Sequence, residues 1–266
     1  MDTPDPPAAR ERALAVLRLS DPLAKAAATR ALFDMLEDAL IDPVAALEAP
    51  DDLPGRPLQP RLLHAKQIPT RTPFTLEGRA AMLHAVTHIE FNAINLALDA
   101  VWRFSGMPIA YYRDWLRVAS EEALHFTLLH EHLNSLGYAY GDFDAHDGLW
   151  AMTQRTAHDV TARMALVPRT LEARGLDAAP PMQAKLRRAG DLRAVEILDV
   201  ILRDEVGHVA IGNHWYRWLC ARDGHDPIAL YAELTVRYEA PRLRPPFNHA
   251  ARLAAGFTDA EIALLT

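Results

Sequence analysis

Two short stretches place an acid and an imidazole one helical turn apart: Glu122-Ala123-Leu124-His125 and Glu205-Val206-Gly207-His208. Both lie inside runs whose apolar residues recur at helical spacing. Trp115, Val118, Phe126 and Leu129 share a face with the first pair, and Leu198, Ile201, Val209 and Tyr216 with the second. A further acid, Glu90, sits among Leu83, Val86, Ala93, Ile94, Ala97 and Val101. Stripes of this kind face the interior of helical proteins. A lone carboxylate there is costly to bury, or it keeps its proton. A shared divalent or trivalent metal ion removes that cost, because it supplies the countercharge and accepts both carboxylate oxygen and neutral imidazole nitrogen.

The spacing extends the pattern. Glu90 precedes Glu122 by 32 residues, and Glu172 precedes Glu205 by 33. Each pair reads Glu, then one helical hairpin, then Glu-x-x-His. Antiparallel helices of that length bring such positions to a similar height, and an i, i+3 Glu and His project side by side. The metal-ligand candidates are therefore Glu90, Glu122, His125, Glu172, Glu205 and His208. For the third helix, Asp159 or His158 is the alternative to Glu172, which lies near the expected helix end one turn after Pro168. Glu121 and Asp204 point about 100° off the motif axis and read as rim residues, with Asp204 a candidate to hold a ligating His. His84 and His88 read as structural, His130 and His132 as solvated, and Tyr216 as core packing.

The elements that must position these residues are helices. Ala8 to Leu40 reads as one or two helices broken near Asp21-Pro22. Residues 50 to 73 carry six prolines and read as a surface wrap. Four long helices follow, predicted over Thr75–Phe104, Pro108–Leu136, Gly148–Arg174 and Asp191–Cys220. Gly137 and Gly175 serve as C-terminal stops, and His146-Asp147 opens the third. Pro180-Pro181 reads as a break before a short helical piece, Met182–Arg188. Pro227–Glu239 reads as helical. Pro241–Phe257 reads as largely irregular, with Arg242, Arg244 and Phe247-Asn248-His249 in a surface tail. Thr258-Asp259-Ala260-Glu261 is a capping-box start. No β pattern of any length is present. The expectation is an all-α chain: an antiparallel four-helix bundle over 75–220. Residues 1–74 would pack on it as helices and wrap, and 221–266 would add a helix and tail.

Bulk properties narrow the function classes. The chain has 266 residues, half of them hydrophobic, and a net charge of −7. That charge gives no electrostatic footprint for nucleic acid. The single cysteine, Cys220, rules out an intramolecular disulfide and a Cys-rich zinc site. The opening MDTPDPPAARER lacks the basic and apolar regions of a secretory signal, and no apolar run is long enough to span a bilayer. The expectation is a cytoplasmic protein that does not enter a membrane.

In chain order, Glu90, Glu122-Ala123-Leu124-His125, Glu172 and Glu205-Val206-Gly207-His208 resemble the ligand pattern of the ferritin-like di-iron carboxylate superfamily: one Glu from each of two helices and Glu-x-x-His from each of the other two. The resemblance covers roughly residues 75 to 220. Tyr112-Arg113-Asp114-Trp115-Leu116, Ala145-His146-Asp147-Gly148-Leu149-Trp150, Val167-Pro168-Arg169 and Glu172-Ala173-Arg174-Gly175-Leu176-Asp177 resemble an uncharacterised bacterial branch of it. Glu172-Ala173-Arg174 is also similar to a ligand segment of tRNA-modifying di-iron hydroxylases. The resemblance implies two iron ions, or a manganese–iron pair, with Glu90 and Glu172 terminal, Glu122 and Glu205 bridging, and His125 and His208 each capping one ion. It implies dioxygen as co-substrate, an unidentified organic substrate, and an electron donor on a separate chain, since no nucleotide-binding glycine fingerprint occurs. A homodimer fits the same picture. An oxygen-dependent oxidase or hydroxylase is the first reading. The alternatives are a ferroxidase or storage-type protein and a non-catalytic metal-binding protein.

Overall fold

The computed structural model of the chain describes residues 8–36 and 40–265. Residues 1–7, read above for a signal, and three residues of the N-terminal helical stretch lie outside that set. Among the described residues the chain is helical, with no strand and one isolated parallel bridge, Leu62 to Ala145. Packing groups it into two compact units. One holds residues up to Thr70 together with Ala80–Asp147; the other holds Arg71–Arg79 together with Gly148 onward.

In the first unit, α1 (Ala9–Leu17) and α2 (Pro22–Asp34) are separated where expected. Asp21 accepts the Ala24 N–H as N-cap and Pro22 takes the first helical turn. The proline-rich stretch is irregular apart from a short turn, Ala65–Gln67. It is pinned by the Gly55 N–H to Leu17 O (2.9 Å) and by the Arg56–Asp147 ion pair (2.8 Å). The two long helices are α3 (Leu76–Arg103) and α4 (Ile109–Ser135). Near their junction Tyr112 Oη donates to Phe104 O at 2.9 Å, and further along the rings of Phe91 and Phe126 lie 5.8 Å apart. Contacts that recede on α3 while they advance on α4 define an antiparallel hairpin.

The second unit departs from the expected uninterrupted third helix. It is built instead from α5 (Gly148–Arg155), α6 (Val160–Leu166), a π-turn (Val167–Glu172) and α7 (Ala173–Arg188). The interruption after α5 has a local cause: Asp159 caps α6 through the Ala162 N–H at 2.9 Å. Buried Arg163 closes the gap, donating to Thr156 Oγ1 at 2.8 Å and to Thr153 O at 2.5 Å. Pro168 falls in the π-turn. The wider turn accommodates its ring and missing N–H, which a regular helix could not do without a kink. The Thr170 hydroxyl donates to the Ala165 carbonyl there (2.8 Å).

Gly175 does not stop the helix, and Pro180-Pro181 does not break it. Both lie inside α7, and the separate piece expected over Met182–Arg188 is its last turns. Pro180 deprives the Leu176 carbonyl of its helical donor, but Asn248 Nδ2 supplies one at 3.1 Å. Helix α8 (Leu192–Asp223) begins at its Asp191 cap and ends at Gly224, which adopts the left-handed conformation. Gln183 Nε2 donates to Asp199 Oδ1 at 2.7 Å, and Gly212 faces Pro168. The sequence therefore folds back here as well, into an antiparallel hairpin that runs through the π-turn.

Helix α9 (Pro227–Arg237) follows. The tail expected to be irregular over 241–257 contains a helix, α10 (His249–Ala254), capped by Asn248, before α11 (Asp259–Ala263) with its capping box. Arg242 and Arg244 are exposed.

Candidate metal centre

Helix α3 is buried around most of its circumference, so its polar residues must be satisfied internally. On one side His84 Nε2 accepts the Gly141 N–H (2.9 Å) and His88 Nδ1 lies 2.9 Å from Tyr140 Oη. Burial lowers the His84 imidazole to about 4. Burial, with Arg56 and the neighbouring histidines adding to it, lowers His88 to about 3. Both rings are neutral at physiological pH and serve as structural hydrogen-bonding groups, as the sequence suggested. Lys25 reaches the same helix. Its ammonium donates to Asn95 Oδ1 (2.6 Å) and Gly55 O (2.7 Å) and lies 4.9 Å from the Phe91 ring centre.

Glu90 lies on α3 where the helix meets α4. His125 Nδ1 is 3.4 Å from Glu90 Oε2 and 3.2 Å from Glu122 Oε2. All three residues are buried, and one ligand atom from each lies within 4.8 Å of the others. Two carboxylates and one imidazole thus converge in an apolar interior. Burial, reinforced by the negative charge of Glu122, pushes the Glu90 carboxyl up to about 8 against the opposing pull of His125. The donors of such a set suit a first-row divalent ion that accepts mixed oxygen and nitrogen ligation.

In the second unit Glu205 and His208 occupy successive turns of α8, both buried, with His208 Nδ1 3.9 Å from Glu205 Oε2. Glu172 is also buried, at the last position of the π-turn. The hairpin contacts place it at about the level of His208, because Pro168 opposes Gly212 and Gln183 opposes Asp199. One ligand atom of Glu205 and one of His208 lie within 4.8 Å of each other. Asp159, the alternative donor, is occupied as the α6 cap, and His158 is exposed beside the Tyr238 hydroxyl (3.1 Å).

Other polar residues depart from their sequence reading or refine it. His132 is buried, with its Nδ1 3.2 Å from Ser135 Oγ, and His130 is half-buried and stacked on Phe126. His132 is not solvated, because the face of the last turns of α4 that carries it and Leu133 is buried. Glu121 lies within 3.8 Å of Arg117, and Asp204 pairs with Arg203 at 2.9 Å. Tyr216 is fully buried and donates to Pro227 O. Buried Arg169, Asn213 and Glu261 form a hydrogen-bonded set that motif reading passed over.

A family model described as "Protein of unknown function (DUF455)" matches residues 18–263. The chain belongs to the DUF455 family. This DUF455 chain is also 53% identical over 219 residues to an uncharacterised protein of Haemophilus influenzae, a match covering 80% of this chain and 76% of the relative. No solved structure matches it. The match to the family spans both Glu-x-x-His motifs. Among the described residues of the DUF455 chain, no helix is long and apolar enough to cross a membrane.

Proposed function

We propose that this DUF455 protein is a cytoplasmic di-iron protein of the ferritin-like kind, acting as an oxygen-dependent oxidase or hydroxylase. Glu90, Glu122 and His125 would hold one ion, and Glu172, Glu205 and His208 the other. The observation that carries the reading is the buried Glu90–Glu122–His125 triad, two carboxylates and an imidazole whose ligand atoms lie within 4.8 Å of one another. The duplicated spacing in the sequence supports extending it to the second set.

When bound, iron would supply one-electron redox chemistry toward dioxygen. The chain's own residues do the rest. The carboxylates neutralise the ions and fix their positions, and the imidazoles present neutral nitrogen. Phe91, Phe126, Val118 and Leu129 are buried on the helices that carry the first triad and help exclude water from it. Fold and ligands do not choose the substrate; the organic substrate, a separate electron donor and a homodimeric assembly complete the proposal.

The test is iron content and oxygen uptake. Protein purified from its own host should hold two irons per chain, and the reduced protein should consume dioxygen. Two irons without any reaction toward oxygen would remove the oxidase reading and leave a metal-binding protein.

A further inference from the structure

The π-turn that carries Glu172 is gripped on both sides by the C-terminal segment of the chain. Ahead of Glu172, Arg169 is buried with its guanidinium 4.7 Å from the Phe257 ring centre, 5.1 Å from that of Tyr231 and 5.3 Å from that of Tyr216. One of its nitrogens donates to Glu261 Oε1 at 2.6 Å, and another to Asn213 Oδ1. Asn213 Nδ2 in turn donates to Ala255 O at 2.8 Å. Thr170 Oγ1 meets Tyr231 Oη at 2.8 Å. After Glu172, buried Arg252 donates to the Asp177 carboxylate at 2.6 and 3.0 Å and to Ala173 O at 3.4 Å. Asn248 closes the Leu176 carbonyl that Pro180 leaves open.

The apolar contacts follow the same course. Ala255, Phe257 and Ile262 share one buried cluster with Ala173, Leu176 and Val209, and Val206 packs against it. Val206 lies between Glu205 and His208 in the motif itself. Burial alone would raise the Glu261 carboxyl, but the Thr258 hydrogen bonds and the charges of Arg169 and Arg217 outweigh it and hold that carboxyl below its ordinary value. Glu261 is therefore an anion at neutral pH, ion-paired to two arginines.

A π-turn is an uncommon conformation inside a helix. It persists when the surroundings hold it. We propose that residues Asn248–Ala263 form a clamp that fixes the π-turn, and through it the Glu172 carboxylate, so that ion binding by Glu172, Glu205 and His208 depends on residues that never touch the ion. The inference rests on the metal reading above. Arg169, Asn248, Arg252 and Glu261 are positioning residues in it.

The experiment is Co(II) titration of the full-length protein, followed by the visible ligand-field absorption of each bound equivalent, with thermal unfolding of each variant alongside. Wild type should take up two equivalents, and Glu172→Gln should lose the tight binding of one. Glu261→Ala, kept below its unfolding temperature, should weaken that same equivalent by about 10- to 100-fold and alter its absorption. The equivalent held by Glu90, Glu122 and His125 should keep its affinity and spectrum. Asn248→Ala removes two neutral hydrogen bonds, to the Leu176 carbonyl and from the Ala251 N–H, and should weaken the second equivalent by about three- to tenfold; it decides the matter if Glu261→Ala fails to fold. A clamp variant that melts earlier yet binds both equivalents with wild-type affinity and spectra overturns the proposal and leaves the tail a packing element. If Glu172→Gln itself retains both equivalents, the assignment of Glu172 as a ligand fails instead, and the clamp has no target.

Discussion

The two hairpins carry the same acid-and-imidazole pattern but reach it differently. In the first, α3 and α4 are unbroken, and two straight helices bring Glu90, Glu122 and His125 together with direct contacts of 3.2 and 3.4 Å. In the second, α8 is unbroken, but its partner is assembled from α5, α6, a π-turn and α7, and Glu172 sits at the last position of the π-turn. The difference shows that register along continuous helices fixes where the donors of the first site lie. A site on an interrupted helix depends on whatever props the interruption. The props come from different parts of the chain: Arg10 and Lys25 of the N-terminal helices donate to α3, whereas Arg169 and Arg252 tie the π-turn and α7 to the C-terminal segment.

That comparison is sharpened by four changes. Glu122→Ala should have the largest effect. It should abolish tight binding by the first triad, by more than about 100-fold, since a ligand matters at least as much as its supports. Metal analysis of dialysed protein reads this directly, and undiminished two-metal content would break the account of the first hairpin.

The second change is pH-linked and acts on Lys25, which supports α3. Burial, with Arg56 adding to it, lowers the Lys25 ammonium to about 7, against 10.5 in the unfolded chain. Between those values the unfolded chain binds more protons, so stability should rise with pH across that window, on the order of a few kcal/mol. Below the lower value the penalty of burying the charge is fully present. Denaturation of metal-free protein at a series of pH values measures the slope, and Lys25→Met should flatten it.

Third, a Cβ on Gly212 would sit 2.5 Å from Pro168 Cβ. Gly212→Ala should therefore cost about 1–3 kcal/mol by forcing α8 away from the π-turn, visible as a lower unfolding midpoint. It should disturb metal binding in the second hairpin only. The smallest effect is expected from Asp159→Ala, which removes the α6 cap and should cost about 1 kcal/mol with metal content unchanged. A lost metal equivalent in that variant would show Asp159, not Glu172, to be the third-helix donor.

Much of this was legible from residue order. The apolar stripes around Glu90, Glu122 and Glu205 predicted burial, and each is buried. The bounds of α3, α4 and α8 follow from proline and glycine punctuation and end close to where expected. The third helix was misread because glycine and proline were taken as breakers. Gly175 and Pro180-Pro181 are helical because neighbouring groups repair the backbone, as Asn248 does for the Leu176 carbonyl. The restart at Asp159 had a signal, a capping residue before Val160-Thr161-Ala162, that the search for one long helix overrode. His132 looked like a surface residue because nothing local shows that the end of α4 is covered.

What the chain order determined alone is the chemistry on offer: which residues can bind a metal, that each Glu-x-x-His shares one helix face, and that the acids sit in greasy surroundings. Those are local properties, set by a helix that repeats every 3.6 residues. Tertiary structure decided which donors meet. Whether Glu90 reaches His125 depends on how two helices align, and whether Glu172 is held depends on a segment dozens of residues later in the chain. Such contacts arise from packing and from the need to satisfy buried polar groups, and no short window of sequence contains them.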